Sequence, residues 1–415
     1  MSLNNILKKL DVFVSDKELS RIKKESHLLI KFLSRLFIGS KIDAGAFLGG
    51  SIAKETSATK DNLDVDIFIR LKDKKDFSIL ANLLQKKLKG VKKIHGSRDY
   101  FQLHKEGILF ELIPVLKISS PNKAENSTDL SYFHVKYLKK RLNKNLKREV
   151  IIAKSFCKSQ GIYGAESYIS GFSGYGLECL ILHFKSFEKM AKKLVNVKDK
   201  LIIDPEKHYK NKNDILININ KSKTHSPIIL IDPTFKERNV LAALSPEAFE
   251  KFQESLKLLL KSPSPDFFKT RELNFSKFKE KNKSLKNISI KIETSKQQGD
   301  ISATKMKKFS KFLEKEISKQ YEIKETHFTY SGKNYADFFV ALIPKKEIIK
   351  KGPPLSMIKQ VKSFKKENKN IFTKDSFIYS RQIPNPSPKS FLKNFVKRYS
   401  KIVSEMDISN ISVGD

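Results

Sequence analysis

The sequence predicts an α+β protein built from more than one domain. Three observations predict it. The chain has 415 residues, more than a single hydrophobic core normally serves. Up to about residue 130, short strand-like runs alternate with apolar stripes of helical period. Beyond that point the pattern is helical, and past residue 262 strands and helices mix again. The expected organisation is a small mixed-sheet domain over residues 1–130, a helical central domain over 131–262 and a C-terminal α/β region over 263–415.

The elements follow in order. Ser15-Asp16-Lys17-Glu18 reads as a capping box that opens a helix with Leu19, Ile22, Leu29, Leu33 and Phe37 on one stripe. Ala46-Phe47-Leu48 reads as a strand, followed by the turn Gly49-Gly50-Ser51, a short helix and a second strand that begins at Asp64. Residues 77–88 predict a helix, and residues 100–103 and 108–113 a hairpin around Lys105-Glu106-Gly107. In the central part, residues 149–160 predict a helix ended by Gly161. Ser173 caps a helix that begins near Tyr175, residues 228–231 form a short strand, and Ser245-Pro246 starts another helix. Ser262-Pro263-Ser264-Pro265 reads as a linker. Residues 309–317 then predict a helix with Phe309, Phe312, Leu313 and Ile317 on one face. Residues 327–330 and 335–342 predict a hairpin around Ser331-Gly332-Lys333-Asn334. Residues 376–381 read as a strand, and Pro388-Lys389-Ser390 leads into a basic helix.

Composition narrows the class. Eighty-two Lys and Arg against 45 Asp and Glu leave a formal charge of +37, with a pI near 9.8. Such an excess points to a polyanionic partner, above all nucleic acid. Aromatic residues interleave with lysine, as expected of an RNA-facing surface, although a given Phe belongs more often to a core. No apolar run reaches transmembrane length, and residues 1–10 lack the apolar centre of a signal peptide. Cys157 and Cys179 lie in apolar helical segments and read as buried free thiols of a cytoplasmic protein.

The chemistry concentrates at Gly49-Gly50-Ser51 and Asp64-Val65-Asp66. Strand side chains alternate, so Asp64 and Asp66 share one face while Val65, Ile67 and Ile69 point into a core. Two neighbouring carboxylates repel each other unless a cation sits between them. Mg²⁺ suits the pair, because it binds one or two carboxylates together with substrate phosphates. The glycines admit close approach of a ligand, and the Ser51 hydroxyl can donate to a phosphate oxygen. Residues 108–114 look like a buried strand with one acid, Glu111, in its middle. Burying a lone carboxylate costs several kcal/mol, on the order of 3–5, so Glu111 calls for a partner. A cation shared with Asp64 and Asp66 supplies one, and a lysine pair is the plain alternative. Read together, these residues describe a nucleotidyl-transfer site.

The same residues resemble the active site of the DNA polymerase beta-like nucleotidyltransferases, and most closely the archaeal class I CCA-adding enzymes. Gly50-Ser51-Ile52-Ala53-Lys54 is similar to the family's glycine-serine motif, Asp64 to Phe68 to its acidic strand, and Glu111-Leu112-Ile113-Pro114 to its third-carboxylate segment, where Asp is common. His134, residues 149–154, residues 161–166, Gly171 to Tyr175, Asp232-Pro233, Arg238-Asn239-Val240 and Lys351-Gly352-Pro353-Pro354 extend the resemblance along most of the chain. It implies template-independent addition of the 3′-terminal CCA to tRNA from CTP and ATP. Asp64, Asp66 and Glu111 would be the catalytic, metal-holding acids, with Mg²⁺ as cofactor. Gly50, Ser51, Lys54, His134, Lys154, Tyr163 and Arg238 would bind the nucleotide. Lys54, Lys154 and Tyr163 would meet the triphosphate, His134 the ribose and Arg238 a base edge. The implied partner is tRNA, held by its acceptor end and upper half; no membrane is involved, and a homodimer is compatible.

Two other readings stand beside this one. A poly(A) polymerase-like terminal nucleotidyltransferase shares the Gly-Ser turn and the acidic strand, but the matches after residue 130 argue against it. A non-enzymatic RNA-binding protein on a decayed transferase fold is the other, and Asp64, Asp66, Glu111 and Ser51 are all present against it.

Overall fold

The computed structural model describes residues 2–58, 64–96, 98–270, 273–295, 299–330, 332–383 and 387–414. The chain divides into two compact units, Met1–Arg271 and Glu272–Asp415.

The first unit opens with helices α1 (Leu3–Lys8) and α2 (Asp16–Gly39). Ser15 caps α2 by accepting from the Glu18 amide at 3.2 Å. The Glu18 carboxylate does not return the bond; it pairs with Arg21 at 2.7 Å, so only half of the expected capping box forms. Strand β1 (Ala44–Leu48), helix α3 (Gly50–Lys54), strand β2 (Asp64–Leu71) and helix α4 (Asp76–Lys87) follow, then β3 (Lys92–Ile94), β4 (Tyr100–Lys105) and β5 (Ile108–Leu116). These strands make one mixed sheet in the order β1-β2-β5-β4-β3, with β2 and β5 parallel. One face packs Val65, Ile67, Phe101, Phe110 and Leu112 against Leu29, Leu33 and Phe37 of α2 and Leu80 and Leu84 of α4. The opposite face carries the acids. The turn between β4 and β5 is tighter than expected: Glu106 and Gly107 both have positive φ, as a two-residue hairpin turn requires.

Helices α5 (Ser131–Arg141), α6 (Lys144–Ser159), α7 (Gly174–Phe184) and α8 (Phe187–Leu194) form a second core with α10 (Pro246–Lys261). Between them lie β6 (Leu201–Ile203), α9 (Lys212–Asn218), β7 (Ile228–Asp232) and β8 (Phe235–Asn239), the strands forming a small sheet in the order β6-β7-β8. Helix α6 starts earlier than the apolar pattern suggests, because Asn143 caps it by accepting from the Leu146 amide at 2.9 Å. Its expected end is present: Gly161 has φ +66°. Ser173 and Ser245 cap α7 and α10 as expected. Cys157 and Cys179 are buried free thiols. The Ser262–Pro265 stretch does end α10 but does not release the chain. Residues 265–268 form a 3₁₀ turn, and the buried Phe268 ring packs on Phe156 and Phe187.

The second unit contains α11 (Phe275–Lys281), β9 (Lys286–Thr294), α12 (Gly299–Ile317), β10 (Tyr321–Tyr330), β11 (Tyr335–Pro344), β12 (Ile348–Pro354), α13 (Ile358–Glu367), β13 (Ile371–Lys374), β14 (Phe377–Gln382), α14 (Pro388–Arg398), α15 (Ser400–Glu405) and β15 (Ile408–Gly414). A four-stranded sheet, β10-β11-β9-β15, buries Ile288, Ile290, Ile292, Val340 and Leu342 against Phe309 and Leu313 of α12. The hairpin expected at 327–342 is there, with Ser331 outside the described residues. A three-stranded sheet, β12-β14-β13, packs on α13. Gly352 of the Lys-Gly-Pro-Pro run lies within it, where a Cβ would stand 2.7 Å from Ile378 and 2.8 Å from Phe364. Among the described residues no helix is long and apolar enough to cross a membrane.

Candidate active site

The parallel pairing of β2 with β5 sets the site. Its register places Asp66 opposite Glu111 and Asp64 opposite Leu109. The antiparallel pairing of β4 with β5 then places Gln102 opposite Glu111. Asp66, Glu111 and Gln102 therefore form a row across three strands, on the face away from α2 and α4. Gln102 Nε2 donates to Glu111 Oε1 at 2.9 Å. The Gly49 amide donates to the Asp66 carbonyl at 2.8 Å, tying the glycine turn to the acidic strand.

Gly50 shows how tightly the turn is folded over that row. Its φ is +57°, and a Cβ on it would fall 1.6 Å from Asp66 Oδ2. Only glycine tolerates both conditions. Ser51 lies in the first turn of α3 and its hydroxyl makes no hydrogen bond among the described residues.

All three acids are raised above their ordinary carboxylate values, burial being the first cause in each. Burial pushes the Asp66 carboxyl up to about 6, against the pull of Lys54 and Lys154. Burial pushes Glu111 up to about 7, and Asp66 and Asp64 add to the effect while the Gln102 bond opposes it. Asp64 is raised by burial too, with Lys158 acting the other way. All three are hard oxygen donors of the kind a divalent cation takes. Among the described residues no group of three or more His, Cys, Asp or Glu side chains is placed to hold a metal ion by itself.

Lys54 and Lys154 are not the solvated lysines that composition alone suggests. Both are buried, and both bind one carboxylate: Lys54 Nζ lies 2.6 Å from Glu178 Oε2 and Lys154 Nζ 2.7 Å from Glu178 Oε1. Thr56 Oγ1 donates to Glu178 at 2.6 Å, and Lys154 also donates to the Thr56 carbonyl at 3.1 Å. Burial alone would raise the Glu178 carboxyl, but the two ammonium groups outweigh it and hold it at about 2. Sequence reading missed Glu178, although it is the one carboxylate in the apolar run of α7. The argument that singled out Glu111 applies to it equally.

His134 and Arg238 converge on a second buried acid. His134 Nε2 lies 3.0 Å from Asp232 Oδ2, and Arg238 Nη1 donates to the same oxygen at 2.7 Å. Tyr175 donates its hydroxyl to Asp232 Oδ1 at 3.0 Å, and its ring stacks on His134 at 3.9 Å. The Thr234 amide and hydroxyl complete the set at 2.8 Å each. Burial holds His134 below its ordinary value, against the pull of Asp232. Asp232 ends β7, and Pro233-Thr234 link β7 to β8. Arg238 is thus ion-paired to Asp232. The guanidinium makes no other hydrogen bond among the described residues. Both networks rest on α7, where Tyr175 and Glu178 are three residues apart and share a face.

Tyr163 packs partly against the helical core. Its hydroxyl makes no hydrogen bond among the described residues and lies 2.8 Å from where a Cβ on Gly174 would be. The same Cβ would be 3.7 Å from Lys154 Cε. The ring thus stands beside the Lys154 stem.

The tRNA nucleotidyltransferase second-domain family matches residues 148–269. The CCA-adding enzyme of Methanocaldococcus jannaschii is 30% identical over 349 residues, which cover 80% of this chain and 76% of that protein. The chain belongs to the CCA-adding enzyme family. The family segment at 148–269 takes in α6, α7, β7 and β8, the elements that carry Lys154, Glu178, Asp232 and Arg238. The CCA-adding enzyme of Nanoarchaeum equitans is 43% identical over 207 residues, and that match spans about half of each chain, 49% of this one and 52% of the other. Among solved structures, the Cid1 poly(U) polymerase superposes with a TM-score of 0.50 at 14% identity, over 65% of this chain and 100% of the other. At that identity the likeness shows the fold alone.

Proposed function

We propose that this chain adds the 3′-terminal CCA to tRNA from CTP and ATP without a nucleic-acid template. The observation that carries the reading is the row of Asp66 and Glu111 in register beside Asp64, closed over by Gly50. Asp64, Asp66 and Glu111 would hold a divalent cation, taken to be Mg²⁺. When bound, it would supply Lewis acidity for phosphoryl transfer. The 3′-oxygen of the RNA attacks the α-phosphorus, the bond to the β-phosphate oxygen breaks, and pyrophosphate leaves. Glu111, oriented by Gln102, takes the proton released from the 3′-hydroxyl. Ser51, Lys54, Lys154 and Tyr163 line the path of the triphosphate. His134 and Arg238, fixed by Asp232, face the ribose and base.

Selectivity follows from hydrogen bonding. C and A each present an exocyclic amino group on the Watson–Crick edge where U and G present a carbonyl. A pocket with an acceptor there and a donor such as Arg238 at the adjacent ring nitrogen leaves polar groups unpaired with U or G, at about 1–3 kcal/mol each. Given tRNA lacking its last three nucleotides and each labelled nucleotide in turn, the chain is expected to add two C, then one A, then stop. Arg238→Ala should weaken CTP and ATP use and admit UTP. Long A tracts on any RNA 3′ end would establish a poly(A)-type activity instead.

The raised carboxylates give a pH signature. Without divalent cation, folded Asp66 and Glu111 retain protons up to about 6 and about 7 that the unfolded chain has already released. Cation-free stability should therefore fall as pH rises from about 4 toward 7. The cation competes with those protons, so the rise in Tm on adding Mg²⁺ should be near zero at pH 5 and full at pH 8. A Mg²⁺ effect of equal size at both pH values would remove these acids from the cation site.

A further inference from the structure

The three-stranded sheet β12-β14-β13 of the second unit has two unlike faces. Helix α13 packs on one of them, where Ile378 and Ser380 of β14 are buried. Strand alternation sends Phe377, Tyr379 and Arg381 to the other face. The register sets Lys351 of β12 and Phe372 of β13 beside Tyr379, and Lys374 of β13 beside Phe377. Directly opposed residues share a face, so these six side chains stand together. None of them is buried, and the three rings belong to none of the hydrophobic cores. The Phe372 and Tyr379 rings are stacked, 16° from parallel, with their centres 5.4 Å apart. Lys351 Nζ stands 3.6 Å from the centre of the Phe377 ring, and the Arg381 guanidinium 5.5 Å from that of Phe372. Arg381 also pairs with Glu347 at 3.0 Å. From Ile348 to Gln382 the chain has nine Lys and Arg against two acids, Glu367 and Asp375.

We infer that this face binds unpaired bases of an RNA, which stack on Phe372 and Tyr379 while Lys351, Lys374 and Arg381 hold the flanking phosphates. The charge selects a polyanion and repels a second copy of the same face. The rings select among polyanions. A duplex keeps its base faces inside its own stack, whereas unpaired bases offer them to aromatic side chains. The strands already hold the rings in place, so a base that stacks on them orders little further chain. The inference goes beyond the transferase reading, which gives no role to the second unit, and it does not depend on that reading.

The test uses the full chain, a labelled single-stranded RNA of mixed sequence and a blunt RNA duplex of the same length, followed by fluorescence anisotropy at fixed salt. Phe372→Ala and Tyr379→Ala should each weaken single-strand binding about tenfold, the worth of one base stack, and leave the duplex unchanged. Tyr379→Phe should bind as wild type. Phe372→Leu and Tyr379→Leu keep apolar bulk on the sheet and should show the alanine loss, so they decide the matter if an alanine variant fails to fold. Lys374→Gln should flatten the slope of log affinity against log salt by about 0.7, one phosphate contact on a single strand. Unchanged single-strand affinity in the ring variants overturns the inference. So does an equal loss for the duplex, which makes the face a phosphate track, or wild-type binding by the leucine variants, which makes the rings packing groups. Binding of phosphatidylserine vesicles lost in the ring variants, with RNA affinity kept, assigns the face to a membrane surface instead. MgATP affinity should be the same in every variant; its absence from the wild-type chain would remove the transferase reading and leave this one standing.

Discussion

Asp66→Ala is expected to abolish nucleotide incorporation, by at least about a thousandfold, or roughly 4 kcal/mol of transition-state stabilisation. Asp66 stands at the centre of the row, opposite Glu111 and under Gly50. Its loss removes the donor that the other two acids flank. The RNA should bind as before, because the role proposed for the acid is to hold the cation and not the polyanion. Stability should not suffer either. Burial holds the Asp66 carboxyl at about 6, so above that pH the cation-free fold contains an unfavourable charge that alanine deletes. Lost turnover with retained tRNA affinity and undiminished cation-free Tm at pH 8 is the signature of a site residue. Activity within about threefold of wild type, well under 1 kcal/mol, would refute the assignment.

Glu178→Ala should unfold the first unit more readily by about 3–5 kcal/mol, the usual cost of orphaning a buried charge. Here it orphans two, since Lys54 and Lys154 are buried and share that one carboxylate. The effect depends on pH in a definite direction. The Glu178 carboxyl is held at about 2 in the folded state. Its contribution is therefore present above its unfolded value near 4.5 and fades as pH falls toward about 2. Denaturant unfolding followed by circular dichroism at pH 7 and pH 3 should show the variant's deficit shrinking at the lower pH. The chain has no tryptophan, so fluorescence offers little. Replacing all three residues by apolar ones of like volume should restore much of the stability, because a buried ion network costs desolvation that apolar packing avoids. A deficit below about 1 kcal/mol for Glu178→Ala would mean that the lysines find other partners.

The parts of the fold governed by local pattern were legible. The stripe of α2, the caps Ser173 and Ser245, the Gly161 stop and the alternation of Asp64 and Asp66 all follow from residues within a turn or two of each other. Strands β9 and β15 were not read. In β9 the apolar Ile288, Ile290 and Ile292 alternate with Ser289 and Lys291, and in β15 Ile411 and Val413 alternate with Asn410 and Ser412. Short runs so rich in polar residues look like loops until a partner strand is known. The 262–265 break was misread because local chemistry announces the end of a helix but not the burial of Phe268 beyond it. At the site, most of the side-chain pairings were not legible. Nothing near Lys54 in sequence announces Glu178, and the buried role of Asp232 is hidden because its four partners come from α5, α7, β8 and the β7–β8 turn.

The parallel register of β2 and β5 links chemistry to topology in one further way. The two strands have no hairpin between them to fix their alignment; the apolar face alone does so, through Ile67 beside Leu112 and Val65 beside Phe110. A slip of one residue in β5 would turn Glu111 into the core and Leu112 toward solvent. The misaligned chain would then lose its third acid and acquire a buried charge at once. Turnover in this protein is therefore a readout of folding fidelity: any population competent to react has, by that fact, aligned these two strands correctly. Chains refolded from denaturant should regain activity in step with the slow formation of this non-local pair, and not with the earlier return of helical signal.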